Sequence, residues 1–213
     1  MKKVILKNTM PVKIIAVHFL FFVSAFMIIS CSFGKSENNE KNVVSSAGNE
    51  TIKIQLPAIG DTITGKVVAV IDGDTYDVLV KGDTSLRVRM EGIDAPEKGM
   101  AFYKVAKKYL SDLCFGKNVK VLVTGIDGHS RVLGFTFVDD NLELSHEMIK
   151  AGYAWHFKKY SKDKNLASLE QEARKAGIGL WYDENPIAPW EFRKLMRQGN
   201  TAEEIYREHN KNQ

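Results

Sequence analysis

The chain has 213 residues, 44% of them hydrophobic, enough for one domain with a sizeable core. Its formal charge of +4 vanishes once the first 30 residues, with four Lys and no acid, are set aside: 26 basic residues then face 26 acidic ones. Bulk charge is therefore no argument for nucleic-acid binding, and two cysteines exclude a disulfide framework.

Lys2, Lys3, Lys7 and Lys13 precede a run from Ile14 to Ile29 that only His18 and Ser24 interrupt. That run is shorter than the ~20 residues a membrane-crossing helix needs, and it has the length and flanks of a signal-peptide core. It ends Ile28-Ile29-Ser30-Cys31, which resembles the bacterial lipoprotein cleavage box. The resemblance implies a signal peptide over residues 1–30 and lipid on the Cys31 thiol; an uncleaved anchor helix is the alternative. Residues 31–52 are rich in Ser, Asn, Glu, Lys and Gly, too polar to fold, and read as a tether. The expected location is an envelope membrane, on its periplasmic or cell-surface face. The folded part is expected over 53–183, with a tail over 184–213.

Gly65–Ile71 is a β-branched run broken by Asp72-Gly73, and Asp74–Val80 resumes it up to the turn at Gly82-Asp83. Leu86, Val88 and Met90 then alternate with Arg87 and Arg89, the period of a strand with one face in a core. These three segments predict an antiparallel meander. From Met100 to Cys114 the period becomes helical, with Phe102, Val105, Ala106, Leu110 and Leu113 on one face. Cys114 at its end reads as a buried small hydrophobe. Val119–Val123 and Val132–Val138 predict two more strands, and Ser145–Ala151 and Asn165–Ala176 two more helices, each closed by a glycine. The expected fold is a five-stranded β-barrel of the OB type with about three helices. In the tail, Trp190 and Phe192 are expected to pack on the barrel, and Thr201 to cap a short helix ending near His209.

Three clusters carry chemistry. Asp72-Gly73-Asp74-Thr75 puts two carboxylates at a strand break, as a hard cation or a plain hairpin turn would use them. Arg89 to Glu97 ends a strand with Asp94 and Glu97 stiffened by Pro96. Asp127-Gly128-His129-Ser130-Arg131 leads into the fifth strand. In this order and spacing the three resemble the staphylococcal (micrococcal) nuclease family, with Gly152–Trp155, Tyr160 and Gly177–Trp181 resembling its C-terminal signature.

The resemblance implies a calcium-dependent endonuclease that cuts DNA and RNA with little sequence preference and leaves 3′-phosphate ends. One Ca²⁺ would be held by Asp74, Asp94 and the backbone carbonyl of Ala95, with Asp72 acting through water. Family members often carry Thr where Ala95 stands, a change to which a backbone ligand is indifferent. Arg89 and Arg131 would clamp the phosphate with planar forks, and Glu97 would serve the attacking water as general base or orienter. Tyr160 matches a nucleotide-contacting tyrosine. His129 stands where typical members have Tyr, and either stacks on substrate or is an exposed loop residue. Lys158, with its basic and aromatic neighbours, suits single-stranded nucleic acid; a solvated loop over a core Trp is the alternative. No obligate protein partner is implied. A catalytically silent binding module on the same barrel and a structural lipoprotein are the competing readings.

Overall fold

A computed structural model describes residues 56–81 and 83–211. The signal peptide, Cys31 and the tether lie outside the described residues, as does Gly82 in the expected turn.

The chain opens with three long strands, β1 (Thr62–Val70), β2 (Thr75–Val80) and β3 (Thr84–Met90), paired antiparallel in that order. A two-residue strand β4 (Ile93–Asp94) and helix α1 (Tyr103–Cys114) follow, and then strands β5 (Asn118–Ile126) and β6 (Val132–Val138). β5 pairs antiparallel with both β1 and β6. β6 then meets β3 in a short parallel ladder, Val88 opposite Val132 and Met90 opposite Gly134, which closes the barrel. Five strands thus enclose a core in which Leu86, Val88 and Met90 point inward as their alternation predicts. Tyr76 is fully buried inside it, its hydroxyl satisfied by Thr136 at 2.8 Å.

β7 (Leu142–Glu143) leads into α2 (Leu144–Lys150), whose first turn is capped by the Glu143 carboxylate on the backbone N–H of Ser145 and His146. β8 (Trp155–His156) pairs with β4, setting Asp94 opposite Trp155. α3 (Lys164–Ala176) is capped by Asp163 and ends at Gly177 with φ of 62°, a conformation glycine adopts without steric cost. Leu166 and Ala173 are buried as expected from their spacing. On α1, Val105 departs from the expected apolar face and is 45% exposed, while Ala106, Leu110 and Cys114 carry the packing.

The C-terminal stretch is more structured than its composition predicts. After a 3₁₀ turn at Gly179–Tyr182 come α4 (Pro189–Arg197) and α5 (Ala202–Lys211); among the described residues the barrel domain carries the three α-helices expected of it, α5 is the expected tail helix, and α4 is the addition. Thr201 caps α5 as predicted, in a reciprocal box: Glu204 N–H donates to Thr201 Oγ1 while Glu204 Oε2 accepts from Thr201 N–H. α4 begins with Pro189 at its first position, where the missing N–H costs nothing. Phe192 is 2% exposed, in a small core with Met100, Ile187 and Ile205. Trp190 stacks on Phe157 with ring centroids 5.3 Å apart. Both aromatics are packed, but against the Trp155 cluster, Phe157 and this small core rather than on the barrel core as expected, and as parts of a helix rather than of a loose tail.

Candidate active site

Barrel closure gathers the separated clusters. Val88 lies opposite Val132, so Arg89 and Arg131 emerge from neighbouring strands at one end of the barrel. The β1–β2 turn reaches the same end. Asp72 Oδ1 accepts from the Asp74 backbone N–H at 3.0 Å, tightening that turn. Gly73 is required there because a Cβ would sit 2.8 Å from Ala95 Cβ and 2.9 Å from Ala106 Cβ. This close approach lets Asp74 Oδ2 accept from the Ala95 N–H at 2.9 Å. The turn and the strand end after β3 are thereby locked together across 21 residues of chain.

Arg89 bridges the two carboxylates at the centre. Its Nη1 pairs with Asp74 Oδ1, and its Nη2 with Asp94 Oδ1 at 3.0 Å. Thr75 Oγ1 also donates to Asp74, at 2.9 Å. Burial works against ionisation of Asp74, but the Arg89 guanidinium and these donors outweigh it and hold the carboxyl below its usual range. Asp94 is only 1% exposed, and burial raises its pKa, with the Asp74 charge adding to the effect and Arg193 opposing it. Asp72 is pushed up to about 7, first by burial and then by repulsion from Asp74. At Asp72 and Asp94 the cost of burying the charged form exceeds what the neighbouring arginines return.

That shortfall, with oxygen as the only donor type in the set, fits a hard divalent cation. Among the described residues no three His, Cys, Asp or Glu side chains already converge into a cage. Arginines lie on the acids instead.

One of those arginines was not foreseen. Arg193 of α4 forks onto Asp94, Nη1 to Oδ1 at 3.0 Å and Nη2 to Oδ2 at 2.7 Å, and its Nη1 also donates to Glu97 Oε1 at 2.6 Å. The tail thus reaches the acidic cluster. Helical spacing contained the signal: Trp190, Arg193 and Arg197 recur on one face of α4, which their separation along the sequence does not show. Asp127 was also missed as a positioning group. Its Oδ1 accepts from the backbone N–H of His129 and of Arg131, and its Oδ2 from Arg131 Nε at 2.8 Å, so the loop aims its own arginine.

The cleft above these groups has a volume of about 1080 Å³. Asp72, Asp74, Arg89, Glu97, His129, Arg131 and Tyr160 line it, with Arg193 and Arg197 from α4. Asp94 and Ala95 lie just beneath, buried. Tyr160 is 66% exposed, edge-on to Phe157, with the Lys159 ammonium 5.1 Å from its ring centre. Lys158 is the one predicted residue turned away. Its Nζ pairs with the buried Glu170 at 2.6 Å and it lines the neighbouring groove. Of the aromatic and basic run around Tyr160, Trp155 and His156 are core residues, His156 Nε2 meeting Ser161 Oγ at 3.1 Å.

A five-stranded barrel with two arginines and an all-oxygen acidic cluster at one end is built to handle a phosphate. Comparison with known proteins agrees. Residues 87–183 match the model of the staphylococcal nuclease homologue family. A protein named as an uncharacterised endonuclease from Haemophilus influenzae is 44% identical over 132 residues, covering 62% of this chain and 73% of that protein. A micrococcal nuclease of Shigella flexneri is 37% identical, covering 68% of this chain and 87% of the relative. A staphylococcal-like nuclease of Arabidopsis thaliana is also 37% identical, with 44% of its longer chain matched. The chain belongs to the staphylococcal nuclease family, and its barrel with helices is the OB-type fold the sequence led us to expect.

Proposed function

We propose that this phosphodiester-hydrolysing endonuclease depends on calcium, cuts both DNA and RNA with little sequence preference, and leaves 3′-phosphate ends. The observation that carries the reading is the meeting of Arg89, Arg131 and Glu97 in one cleft over the buried Asp74 and Asp94.

Asp74 and Asp94 would hold the cation, with the Ala95 carbonyl and, through water, Asp72. When bound, calcium would supply positive charge to the phosphate. The remaining chemistry belongs to the chain. Glu97 takes a proton from the attacking water as its oxygen bonds to phosphorus. Charge accumulates on the equatorial oxygens, and the guanidinium N–H groups of Arg89 and Arg131 meet it. The bond from phosphorus to the 5′ oxygen breaks, that oxygen takes a proton from solvent and leaves as a hydroxyl, and Glu97 returns its proton to solvent. Tyr160 and His129, exposed on the rim, offer rings to bases of a single strand.

Incubation of the protein with single-stranded DNA, in calcium or in excess chelator, tests this through fragment length and end chemistry. Calcium-dependent shortening with 3′-phosphate ends is expected. Binding without cleavage in calcium would instead make the barrel a silent nucleic-acid module. We further propose that the enzyme is exported and held at the envelope by lipid on Cys31. Fatty-acid labelling that persists in Cys31→Ser would remove that part of the reading.

A further inference from the structure

Asp94 and Glu97 are three residues apart yet are fixed in opposite ways. Asp94 sits on the β4–β8 ladder and is gripped by two arginines. Glu97 lies past the strand end with its side chain 38% exposed. Its backbone is tied to Met100, whose Sδ accepts from Glu97 N–H and whose N–H donates to Glu97 O. Neither contact restrains the carboxylate. Among the described residues, the one hydrogen bond to that carboxylate comes from Arg193.

We propose that Arg193 is a positioning residue for Glu97, which makes α4 a part of the active site although it lies beyond the matched family domain at 87–183. The inference rests on Glu97 serving the attacking water. The guanidinium is a strut. It is anchored on Asp94 through both Nη atoms, and from Nη1 it reaches out to Glu97. The planar fork fixes the angle between the two contacts, which a lysine ammonium cannot reproduce.

α4 delivers the fork to a defined place because its neighbours are pinned: Phe192 is buried in the C-terminal core and Trp190 is stacked on Phe157. Arg193 differs from Arg89 and Arg131 in touching Glu97: its Nη1 contacts both Asp94 and Glu97, and its Nη2 contacts Asp94. Positioning and phosphate binding are told apart by kcat and KM.

The test measures single-oligonucleotide cleavage by the full chain as wild type, Arg193→Ala, Arg193→Lys, Glu97→Gln and the Arg193→Ala/Glu97→Gln double variant. Thermal melting and calcium titration calorimetry, with the metal alone, accompany it. Arg193→Ala is expected to lower kcat about 10- to 100-fold, the cost of a misplaced catalytic group, with KM within about threefold. Arg193→Lys should recover part of the loss. In the Glu97→Gln background the Arg193→Ala change should cost nothing further, because the group it positions no longer acts.

Additive losses in the double variant would overturn the inference. A raised KM with kcat kept would overturn it too, by making Arg193 a substrate ligand. Calcium binding weakened about tenfold or more would show action through Asp94 instead. A melting drop without recovery in Arg193→Lys would reduce the residue to a structural tie. If Glu97→Gln keeps full turnover, the role given to Glu97 falls, and this inference with it. If Glu97→Gln loses turnover while Arg193→Ala keeps it, only this inference falls.

Discussion

The two walls of the cleft are made differently. On the barrel wall, Asp74, Arg89 and Asp94 are held by strand ladders, by backbone N–H donors and by one another. On the helical wall, Tyr160 leans on Phe157, Phe157 stacks under Trp190, and Arg193 follows Phe192 on a nine-residue helix. The first wall is redundant: each charge has several partners, and removing one leaves the others in place. The second rests on aromatic packing, Trp190 against Phe157 and Trp155 and Phe192 in a small separate core, with Arg193 as its contact to the acids. Damage to the barrel wall should therefore appear as lost chemistry in an intact fold. Damage to the helical wall should appear as local loosening that chemistry then reports.

Phe192→Ala should give the largest effect, about 3–5 kcal/mol for truncating a buried phenylalanine. Hydrogen exchange should locate that loss in α4 and α5 and leave the barrel strands protected, with turnover falling as Arg193 is released. Uniform deprotection of the barrel would break the distinction between the walls.

Arg131→Ala comes next. It should cost about 10²–10³ in kcat, as expected for one charged donor to the transition state, at nearly unchanged melting temperature. An equal loss of stability would mean that the Asp127–Arg131 pair serves the fold rather than the reaction.

Tyr160→Ala should weaken single-strand binding by about 1–3 kcal/mol, read as a raised KM with kcat kept. An unchanged KM would remove Tyr160 from the substrate path.

The smallest effect concerns Asp72. Its pKa is raised to about 7 in the folded state, above the unfolded carboxylate value, so the folded protein binds the extra proton. In chelator, the stability this contributes is present at low pH and is lost as pH rises from about 4 through 7, on the order of 1 kcal/mol after solvent screening. Asp72→Asn should flatten that part of the melting profile. An unaltered profile would place the titration elsewhere in the acidic cluster.

Much of the barrel wall could be read from the chain alone, because its determinants are local. Alternation of Leu86, Val88 and Met90 with the arginines sets a strand face. The glycines after α2 and α3 stop those helices, and Asp72 to Thr75 and Arg89 to Glu97 are short enough for spacing to carry their chemistry. What periodicity cannot report is which distant side chain completes a contact. Val105 has helical spacing with the core yet faces water, because α1 offers the barrel a narrower face than its apolar residues would cover. Lys158 sits among residues that suggest nucleic acid, yet it neutralises Glu170, an acid buried by the packing of α3. Arg193 lies 96 positions from Glu97 and 99 from Asp94. The sequence determined the strands, the helices of the barrel domain and the acids and arginines at its rim. Only the tertiary structure decided that a C-terminal helix reaches back to them, because that depends on a small aromatic core closing over distances no local pattern encodes.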